Sequence, residues 1–411
     1  MNTRIPALAP ALGFGLALLA CGAAPGTASA AYTGNVVRIG VLNDQSGLYA
    51  DIMGQGSVIA ARMAVEDFGG RIGDTPVEVV AADNQNKPDI GAAIARQWYD
   101  VQGVDMIAEI ANSSVALAVV EIARDKNKVA IVSGSNTNRL TGDSCTPNHV
   151  HWAFDNYALA NATARAVVKQ GGTSWFFITA DYAFGHDMEK QAGDIVKQSG
   201  GTVVGSVRAP LNSADFASYL LQAQGSGAKV IGLANATADF TSTVKQGKEF
   251  GILDGGQSFA GLTVYLTDID ALGLEAAQGT LLSVPFYWDL NDRTRAFSKR
   301  FFERHGKMPT AYQASVYSQV THYLKAVKSL GSDADGRAVV ARMKELPTDD
   351  DAYGQGSIRV DGRKLHPMYL FQVKTPRESK GRWDYYKLAA TIPTEEAWKP
   401  LDPACALVAR Q

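Results

Sequence analysis

The sequence predicts an α/β protein made of two doubly wound lobes joined by three crossover strands. Short apolar strands alternate with amphipathic helices through residue 141, and the same alternation restarts at Tyr157 after a short extended segment. Strands that alternate with helices form parallel sheets with helices on both faces. A chain of 411 residues is also too long for one ordinary hydrophobic core.

Residues 1–30 have the pattern of a secretory signal. Arg4 precedes an apolar run over residues 7–20, and Ala28-Ser29-Ala30 is a small-residue cleavage pattern. The run is too short for a membrane span. Leu18-Leu19-Ala20-Cys21 also resembles a lipoprotein box, in which Cys21 would be acylated. We expect a protein exported to the periplasm, with anchoring at Cys21 as the alternative.

Export leaves two cysteines, Cys145 and Cys405. An even pair in an oxidising compartment predicts a disulfide, which here would tie the C-terminal tail back to the loop before residue 155. Two free buried thiols are the alternative.

The first lobe begins with an apolar strand over residues 36–42, followed by a loop that contains Tyr49 and a helix from Ser57. Further strands are predicted over residues 77–82, 106–110 and 129–132, with a helix over 89–101 and another after residue 114. Two polar corners, Asn112-Ser113-Ser114 and Ser133-Gly134-Ser135-Asn136-Thr137, follow the last two of these strands. Both corners should lie at the carboxyl edge of the sheet, where α/β proteins usually bind ligands.

The first corner suits a carboxylate. Asn112 or Ser113 can cap the helix that follows, and the free amides of its first turn, with the positive end of the helix dipole, attract an anion without a lysine or arginine. Hydroxyls of Ser113, Ser114, Ser135 and Thr137 could add donors. Ordinary caps and turns remain the alternative interpretation.

The second lobe repeats this pattern from Tyr157. Helices are predicted over residues 157–169, 185–199 and 215–224, and strands over 175–179, 202–208, 229–234 and 257–261. Tyr182 follows the first of these strands, Asn235 the third and Thr263 the fourth. Trp152-Ala153-Phe154 is predicted to be an extended crossing, after a loop over residues 141–151.

The chain is then expected to return to the first lobe. Helices over residues 294–305 and 311–330 have apolar faces, and the second is assigned to the core of the first lobe. An acidic turn at residues 349–351 lies near a third crossing and lacks the glycine and alternation of a calcium loop. Strands over residues 357–360 and 368–373 are predicted to pair around the turn Asp361-Gly362, and an irregular tail follows Pro393.

These features together resemble the periplasmic solute-binding proteins of branched-chain amino-acid type ABC importers, the leucine/isoleucine/valine-binding protein family. The resemblance spans residues 36–373. It rests on these stretches, in this order and spacing: Val37-Arg38-Ile39-Gly40-Val41-Leu42 with Ser46-Gly47, the turn at residues 83–88, Asn112-Ser113-Ser114, residues 133–141, and Asp181-Tyr182-Ala183-Phe184-Gly185.

The resemblance implies the type I periplasmic binding fold, with two lobes that close over a ligand. It divides the chain into lobe 1 (residues 36–155 and 285–345), lobe 2 (156–284 and 346–395) and a tail (396–411). The family's carboxylate-binding positions fall on Ser113, Ser135 and Thr137, its aromatic contacts near Tyr49 and Tyr182, and a second-lobe contact on Asn235. With Asn112, Ser114 and Asn136 from the two corners and with Thr263, these residues form the predicted ligand-binding set.

The sequence departs from the family at Thr263. Amino-acid binders of the family carry a glutamate there for the ligand's ammonium group, and the stretch from Phe259 to Tyr265 contains none. Burying an ammonium without a carboxylate partner costs several kcal/mol. We therefore expect a ligand with a carboxylate and a flat apolar body, an aromatic acid of hydroxybenzoate or phenylpropanoid type, as in the branch of the family that this chain most resembles. Asp181, Asp239 or Asp268 could instead supply the charge, which leaves a branched-chain or other hydrophobic amino acid, or an amide, as the alternative.

Other functional classes fit the sequence less well. It contains no Gly-x-Ser-x-Gly elbow, His-Glu-x-x-His motif, phosphate loop or complete dinucleotide fingerprint, so neither a secreted hydrolase nor a cofactor is expected. The net charge of −2 and scattered basic residues argue against nucleic acid. Histidines at 149 and 151 are expected to be turn or surface residues, not metal ligands.

A ligand-sensing receptor domain is a further alternative, but such a domain would normally be fused to a signalling module. We expect a monomer that delivers its ligand to the membrane permease of an ABC importer.

Overall fold

The computed structural model describes residues 32–253 and 255–409. The predicted signal segment, with Cys21, lies outside these residues. After a short 3-10 helix (Thr33–Asn35), the first part of the chain contains β1 (Val37–Asn43), α1 (Gly54–Asp67), β2 (Arg71–Ile72), β3 (Thr75–Asp83), α2 (Pro88–Asp100), β4 (Met106–Glu109), α3 (Ser113–Asp125), β5 (Val129–Val132), a 3-10 helix (Asn138–Thr141) and β6 (His149–His151). Its six-stranded sheet has the order β2-β3-β1-β4-β5-β6 and is parallel except for the β2–β3 pair.

A second alternating series follows. It contains α4 (Asn156–Lys169), β7 (Ser174–Ala180), α5 (Ala183–Gln198), β8 (Thr202–Ala209), α6 (Ala217–Gly225), β9 (Val230–Ala234), α7 (Thr237–Glu249), β10 (Ser258–Gly261), α8 (Leu266–Leu272) and α9 (Leu274–Ala277). The four strands form a parallel sheet in the order β10-β9-β7-β8.

The last third of the chain contributes helices and strands to both lobes. It contains β11 (Leu281–Val284), α10 (Asp292–His305), α11 (Ala311–Leu330), α12 (Gly336–Glu345), β12 (Ser357–Ile358), β13 (Lys364–Leu365), β14 (Met368–Val373), β15 (Tyr386–Ile392) and α13 (Thr394–Ala397). Helix α11 packs on α1 and β4, and α12 packs on β5, so these helices belong with the first sheet. Strands β11, β14 and β15 form an antiparallel sheet beside α4.

The fold is therefore two doubly wound α/β lobes, one on each parallel sheet. The chain crosses between them three times, between β6 and α4, between β11 and α10, and between α12 and β12. Aromatic side chains pack these crossings together. Trp152 and Phe154 of the first crossing are fully buried, and Phe286 of the second stacks on Tyr353 of the third, with ring centroids 6.4 Å apart.

Local chemistry explains where the main helices begin and end. The side chains of Asn112 and Asp155 accept hydrogen bonds from the first turns of α3 and α4, and Thr310 forms a capping box with Gln313 at the start of α11. Gly331 ends α11 with a φ of 69°, which favours glycine. None of the helices in the described part of the chain has both the length and the apolar character that a membrane crossing requires.

Two sequence predictions about strands were wrong. The predicted loop over residues 141–151 ends in β6, whose residues pair in parallel with β5. The strand predicted over residues 357–360 does not pair with β14. It pairs with β13 around the Asp361-Gly362 turn, and β14 lies between β11 and β15. Strand β15, which pairs with the preceding strand β14, was not predicted, because most of its side chains are exposed and its sequence lacks a regular alternation of apolar and polar residues.

Candidate functional site

A small cavity lies between the two lobes. Residues of both lobes line about 280 Å³ of space free of protein atoms, part of which is open to solvent. The first lobe contributes Tyr49, Ile52, Met53, Asn112, Ser113, Gly134, Asn136 and Tyr312, and the second contributes Tyr182, Phe184, Ala236 and Tyr265. Among the described residues, no lysine, arginine, aspartate or glutamate lines this cavity.

Most of the lining residues stand where helices begin. Met53, Asn112, Tyr182, Ala236 and Tyr265 directly precede α1, α3, α5, α7 and α8, and Tyr312 is the second residue of α11. Each helix N-terminus has backbone N–H groups without intrahelical partners and carries a partial positive charge. Six such ends therefore make the cavity attractive to an anion although no basic side chain lines it.

Ser113 is a donor that the protein itself does not satisfy. The residue is 1% exposed, and its hydroxyl has no hydrogen-bond partner within residues 32–253 and 255–409. The carboxamide oxygen of Asn112 accepts from the backbone N–H groups of Ser114 (2.9 Å) and Val115 (3.4 Å), so the cap occupies the second and third amides of α3. The hydroxyl and the first amide of the helix, both from Ser113, remain for a ligand.

Tyrosine hydroxyls connect the lobes around the cavity. The hydroxyl of Tyr49, in the first lobe, is hydrogen-bonded to that of Tyr182, in the second. The hydroxyls of Tyr265 and Tyr312 make a second contact of this kind at 2.8 Å, and Tyr312 donates to the side-chain oxygen of Asn136 at 3.0 Å. The structure is therefore a closed form, in which the cavity walls meet directly.

Two buried carboxyl groups lie behind the cavity wall. Burial raises the pKa of Asp239, in the first turn of α7, to about 6, and that of Asp268, in the first turn of α8, to about 7. Both accept backbone hydrogen bonds, Asp239 from Asn212 at 3.0 Å and Asp268 from Tyr265 at 2.8 Å. Asp181 is half exposed and contacts His186 at 2.8 Å. None of these three acids is a lining residue.

Five of the ten predicted site residues line the cavity: Tyr49, Asn112, Ser113, Asn136 and Tyr182. They come from four loops, and two of these residues, Tyr49 and Tyr182, are 133 residues apart in sequence but in contact. The loops meet because each of them follows the carboxyl end of a parallel strand, as the sequence predicted.

Three predicted residues of the first lobe lie beside the cavity with their polar groups engaged elsewhere. The amide of Ser114 donates to the Asn112 cap. The Ser135 hydroxyl donates to the carbonyl of Ile110 at 2.7 Å, and the Thr137 hydroxyl accepts from the amide of Arg139 at 3.4 Å. In this closed form these groups stabilise the corners instead of facing the cavity.

In the second lobe, Asn235 and Thr263 also bond neighbouring protein groups and do not line the cavity. The Asn235 side chain donates to the hydroxyl of Thr243 at 3.0 Å, and the Thr263 hydroxyl donates to the carbonyl of Asn235 at 2.6 Å. These bonds fix the loop after β9, and it is the next residue, Ala236, that reaches the cavity.

The predicted set omitted seven lining residues: Ile52, Met53, Gly134, Phe184, Ala236, Tyr265 and Tyr312. Phe184 lies in the stretch Asp181-Tyr182-Ala183-Phe184-Gly185, which contributes to the family resemblance, but it was not placed in the set. Tyr265 lies only two residues beyond Thr263, and its aromatic ring at a strand end was a usable signal. Tyr312 gave no signal, because it begins a helix whose apolar face indicates core.

The two cysteines are joined by a disulfide, with Cα atoms 5.5 Å apart. The nearby histidines bind backbone carbonyls. His149 contacts the carbonyl of Leu140 at 2.8 Å, and His151 contacts that of Ser135 at 2.7 Å. Over the described ranges, no group of three or more His, Cys, Asp or Glu side chains is placed to hold a metal ion.

Known proteins resemble the chain along most of its length. A crystal structure of a periplasmic binding protein from Burkholderia mallei is 49% identical, has a TM-score of 0.89, and covers 91% of this chain and 99% of its own. A branched chain amino acid ABC transporter periplasmic ligand-binding protein from Burkholderia xenovorans LB400 is 40% identical, with a TM-score of 0.78 and coverage of 89% and 97%. A solute binding protein from R. palustris in complex with 4-hydroxybenzoate shares the fold at 22% identity, with a TM-score of 0.79 and coverage of 88% and 98%.

Sequence relatives match over shorter stretches. The Leu/Ile/Val-binding protein homolog 6 of Brucella suis biovar 1 is 28% identical over 262 residues, which are 62% of this chain and 65% of the relative. The match thus spans a little less than two thirds of that protein. The model of the periplasmic binding protein family, in contrast, matches residues 36–382. Together with a fold in which two lobes enclose a small cavity, this match shows that the chain belongs to the periplasmic binding protein family.

Proposed function

We propose that this protein is the extracytoplasmic solute-binding component of an ABC importer and that it captures a small aromatic carboxylate. It acts in the periplasm and passes the ligand to a membrane permease. Lobe 1 (residues 36–155 and 285–345) and lobe 2 (156–284 and 346–395) close over the ligand, and only the closed form docks productively on the permease.

The observation that carries this proposal is the chemistry of the cavity wall. Helix N-termini and the free hydroxyl of Ser113 offer donors for a carboxylate, and the remaining wall consists mainly of tyrosines, Phe184 and apolar side chains. A carboxylate bound to backbone amides forms charge-assisted hydrogen bonds, which are about twice as strong as neutral ones. Aromatic rings pack on a flat apolar body.

A ligand with a single ring is supported by the aromatic wall and by one neighbour. In this closed form the walls meet directly, so a ligand would enter while the lobes are apart. The R. palustris neighbour, which shares the fold, holds 4-hydroxybenzoate. The four tyrosine hydroxyls near this cavity also suit a ligand whose ring carries a hydroxyl group.

A hydrophobic amino acid is the second candidate. It is supported by the Burkholderia xenovorans protein, a branched chain amino acid ABC transporter periplasmic ligand-binding protein that is 40% identical to this chain. An ammonium group would need Asp239 or Asp268 to ionise and to move into the wall. Their raised pKa values, about 6 and about 7, work against this at low pH.

A thermal-shift screen of the protein comprising residues 31–411 distinguishes an aromatic carboxylate from an amino acid as the ligand. Benzoate, 4-hydroxybenzoate and cinnamate should raise the melting temperature, because ligand at a hundredfold excess over its dissociation constant stabilises the folded state by about 2.7 kcal/mol. Leucine and the uncharged analogue benzamide should have little effect. A strong response to leucine alone would establish the amino-acid alternative, and equal responses to benzamide and benzoate would contradict carboxylate recognition.

A further inference from the structure

The C-terminal tail runs from the second lobe to the first. Strand β15 belongs to the antiparallel sheet of the second lobe, and α13 follows it directly. The side chain of Asn161, on α4, donates to the carbonyl of Glu396 at 3.0 Å. The tail therefore begins attached to the second lobe.

The middle of the tail packs on the crossing region. The Trp398 indole N–H donates to the carbonyl of His366 at 2.9 Å, and the buried guanidinium of Arg363 stacks on the indole ring at 4.6 Å. Arg359 donates to the carbonyl of Lys399 at 2.9 Å. Trp398 is only 6% exposed, so this contact is part of the folded core and not a loose end.

The far end of the tail is bonded to the first lobe. Cys405 is fully buried and forms the disulfide with Cys145, which lies in the loop before β6 and is 260 residues away in sequence. Tail residue Asp402 lies against the same loop, since a Cβ added to Gly142 would be 3.3 Å from an Asp402 carboxylate oxygen.

The tail helps to form a groove between the lobes. The groove is lined by Asn138, Arg139, Gly142 and Asp143 of the first lobe, by residues at the start of α5 in the second, and by Lys399, Asp402 and Ala404 of the tail. The lobes touch at this place: the backbone N–H of Asn138 donates to the carboxylate of Asp187 on α5 at 2.8 Å.

We propose that residues 398–405, closed by the disulfide, form a strap that limits how far the two lobes open. The strap adds a fourth covalent connection to the three crossings. Its eight residues, counted from Ala397 to Cys405 (405 − 397), can span at most roughly 29 Å at 3.6 Å per residue. An opening that moved the two ends farther apart than this reach would have to break the packing of the tail on the second lobe, so the strap keeps the protein nearer the closed form. This inference rests on the two-lobe fold and needs no particular ligand.

Hydrogen exchange of the Asn138 amide tests the strap in the ligand-free protein, because this amide is bonded across the lobes and exchanges when they separate. The double variant C145S/C405S should exchange severalfold faster there, and amides of β5 should not change. Small-angle scattering should show a larger radius of gyration. Unchanged exchange and scattering would overturn the proposal.

A second variant keeps the disulfide. Eight Gly/Ser residues are inserted between Pro400 and Leu401, which are both exposed, so that the strap becomes twice as long. Hydrogen exchange of the Asn138 amide should then be about threefold faster, because holding a longer loop in the closed form costs more conformational entropy. The matched control places the same insertion between Lys380 and Gly381, in the exposed turn between β14 and β15, and should have no effect. Equal effects of both insertions would show general loosening and would contradict the strap.

Discussion

Glu109 is a carboxyl group that the fold buries completely. It ends β4, and its two side-chain oxygens accept hydrogen bonds from the Ser57 hydroxyl at 2.6 Å and the Asn43 carboxamide at 2.7 Å. Burial raises its pKa to about 8, because the charged form loses its hydration. The loop that carries Gly134 to the cavity packs directly on it: a Cβ at Gly134 would lie 3.1 Å from Glu109 Cγ.

Glu109→Gln should flatten the pH dependence of stability. Between the ordinary glutamate pKa of about 4.3 and about 8, folded Glu109 holds a proton that the unfolded chain has released. The free energy of unfolding of the wild type therefore falls as the pH rises through this window, by up to about 1.4 kcal/mol per pH unit. The glutamine oxygen can accept from Asn43 and its NH2 group can donate to the Ser57 hydroxyl, so both contacts can persist, and glutamine does not titrate. Urea denaturation from pH 5 to 8 measures the difference, and parallel curves for both proteins would contradict it.

Ser113→Ala should weaken ligand binding without weakening the fold. Its hydroxyl has no partner within the described residues, and one hydrogen bond to a ligand contributes about 0.5–1.5 kcal/mol. Calorimetry with 4-hydroxybenzoate should show a roughly two- to tenfold loss of affinity. Ser135→Ala is the control, because that hydroxyl bonds the carbonyl of Ile110: it should lower stability more than affinity. The role of Ser113 is refuted if its alanine variant binds like the wild type.

At the scale of elements, the start of α3 combines a structural and a binding role. Asn112 adopts a φ of 73° and caps the helix with its side-chain oxygen, while the next residue faces the cavity. Asparagine and aspartate both tolerate this backbone conformation, and both cap helices well. The two side chains have the same shape, but aspartate carries a negative charge and lacks the NH2 donor. This difference allows the capping role and the binding role to be separated.

Asn112→Asp should weaken anion binding while preserving the helix. The carboxylate can still accept from the amides of Ser114 and Val115 and suits the positive helix end, so the melting temperature should stay the same or rise. A negative charge beside the bound carboxylate should lower affinity by roughly tenfold or more. Asn291→Asp is the matched control, since Asn291 caps α10 in the same way and does not line the cavity. If the Asn112→Asp variant binds the ligand as tightly as the wild type, the ligand's carboxylate does not bind at the start of α3.

At the scale of the whole molecule, closure is stabilised by contacts between hydroxyl groups. Tyr49 with Tyr182, and Tyr312 with Tyr265, join the lobes beside the cavity. Each pair forms only when both lobes are in place, so each favours the closed form over the open one and should slow the release of a ligand.

Tyr182→Phe should accelerate ligand release. It removes one hydroxyl contact between the lobes and keeps the aromatic ring in the wall. With a hydrogen bond contributing about 0.5–1.5 kcal/mol, the dissociation rate should rise about two- to tenfold, with a smaller change in the association rate. Stopped-flow fluorescence with 4-hydroxybenzoate measures both rates. Tyr219→Phe, on α6 and outside the cavity, is the control; equal rates for all three proteins would show that the contact does not hold the closed form.

Much of the fold was predictable because its signals are local. The apolar runs that became β1, β4, β5 and β9 are buried on both faces, and a continuous apolar run bounded by turn residues is the local signature of such strands. Strand β6 and the pairing of β12 with β13 were mispredicted, since two or three residues carry too little pattern to identify a partner.

The sequence by itself determined the two-lobe α/β architecture and the polar corners, because hydrophobic period, turn residues and helix caps are properties of neighbouring residues. Only the tertiary structure decided which side chains face the cavity. Ser113 and Ser135 are equivalent as residues in polar corners, yet one hydroxyl is left free and the other bonds Ile110. Tyr312 reaches the cavity from a helix of the last third of the chain. Such outcomes depend on how distant segments pack, and no local pattern contains that information.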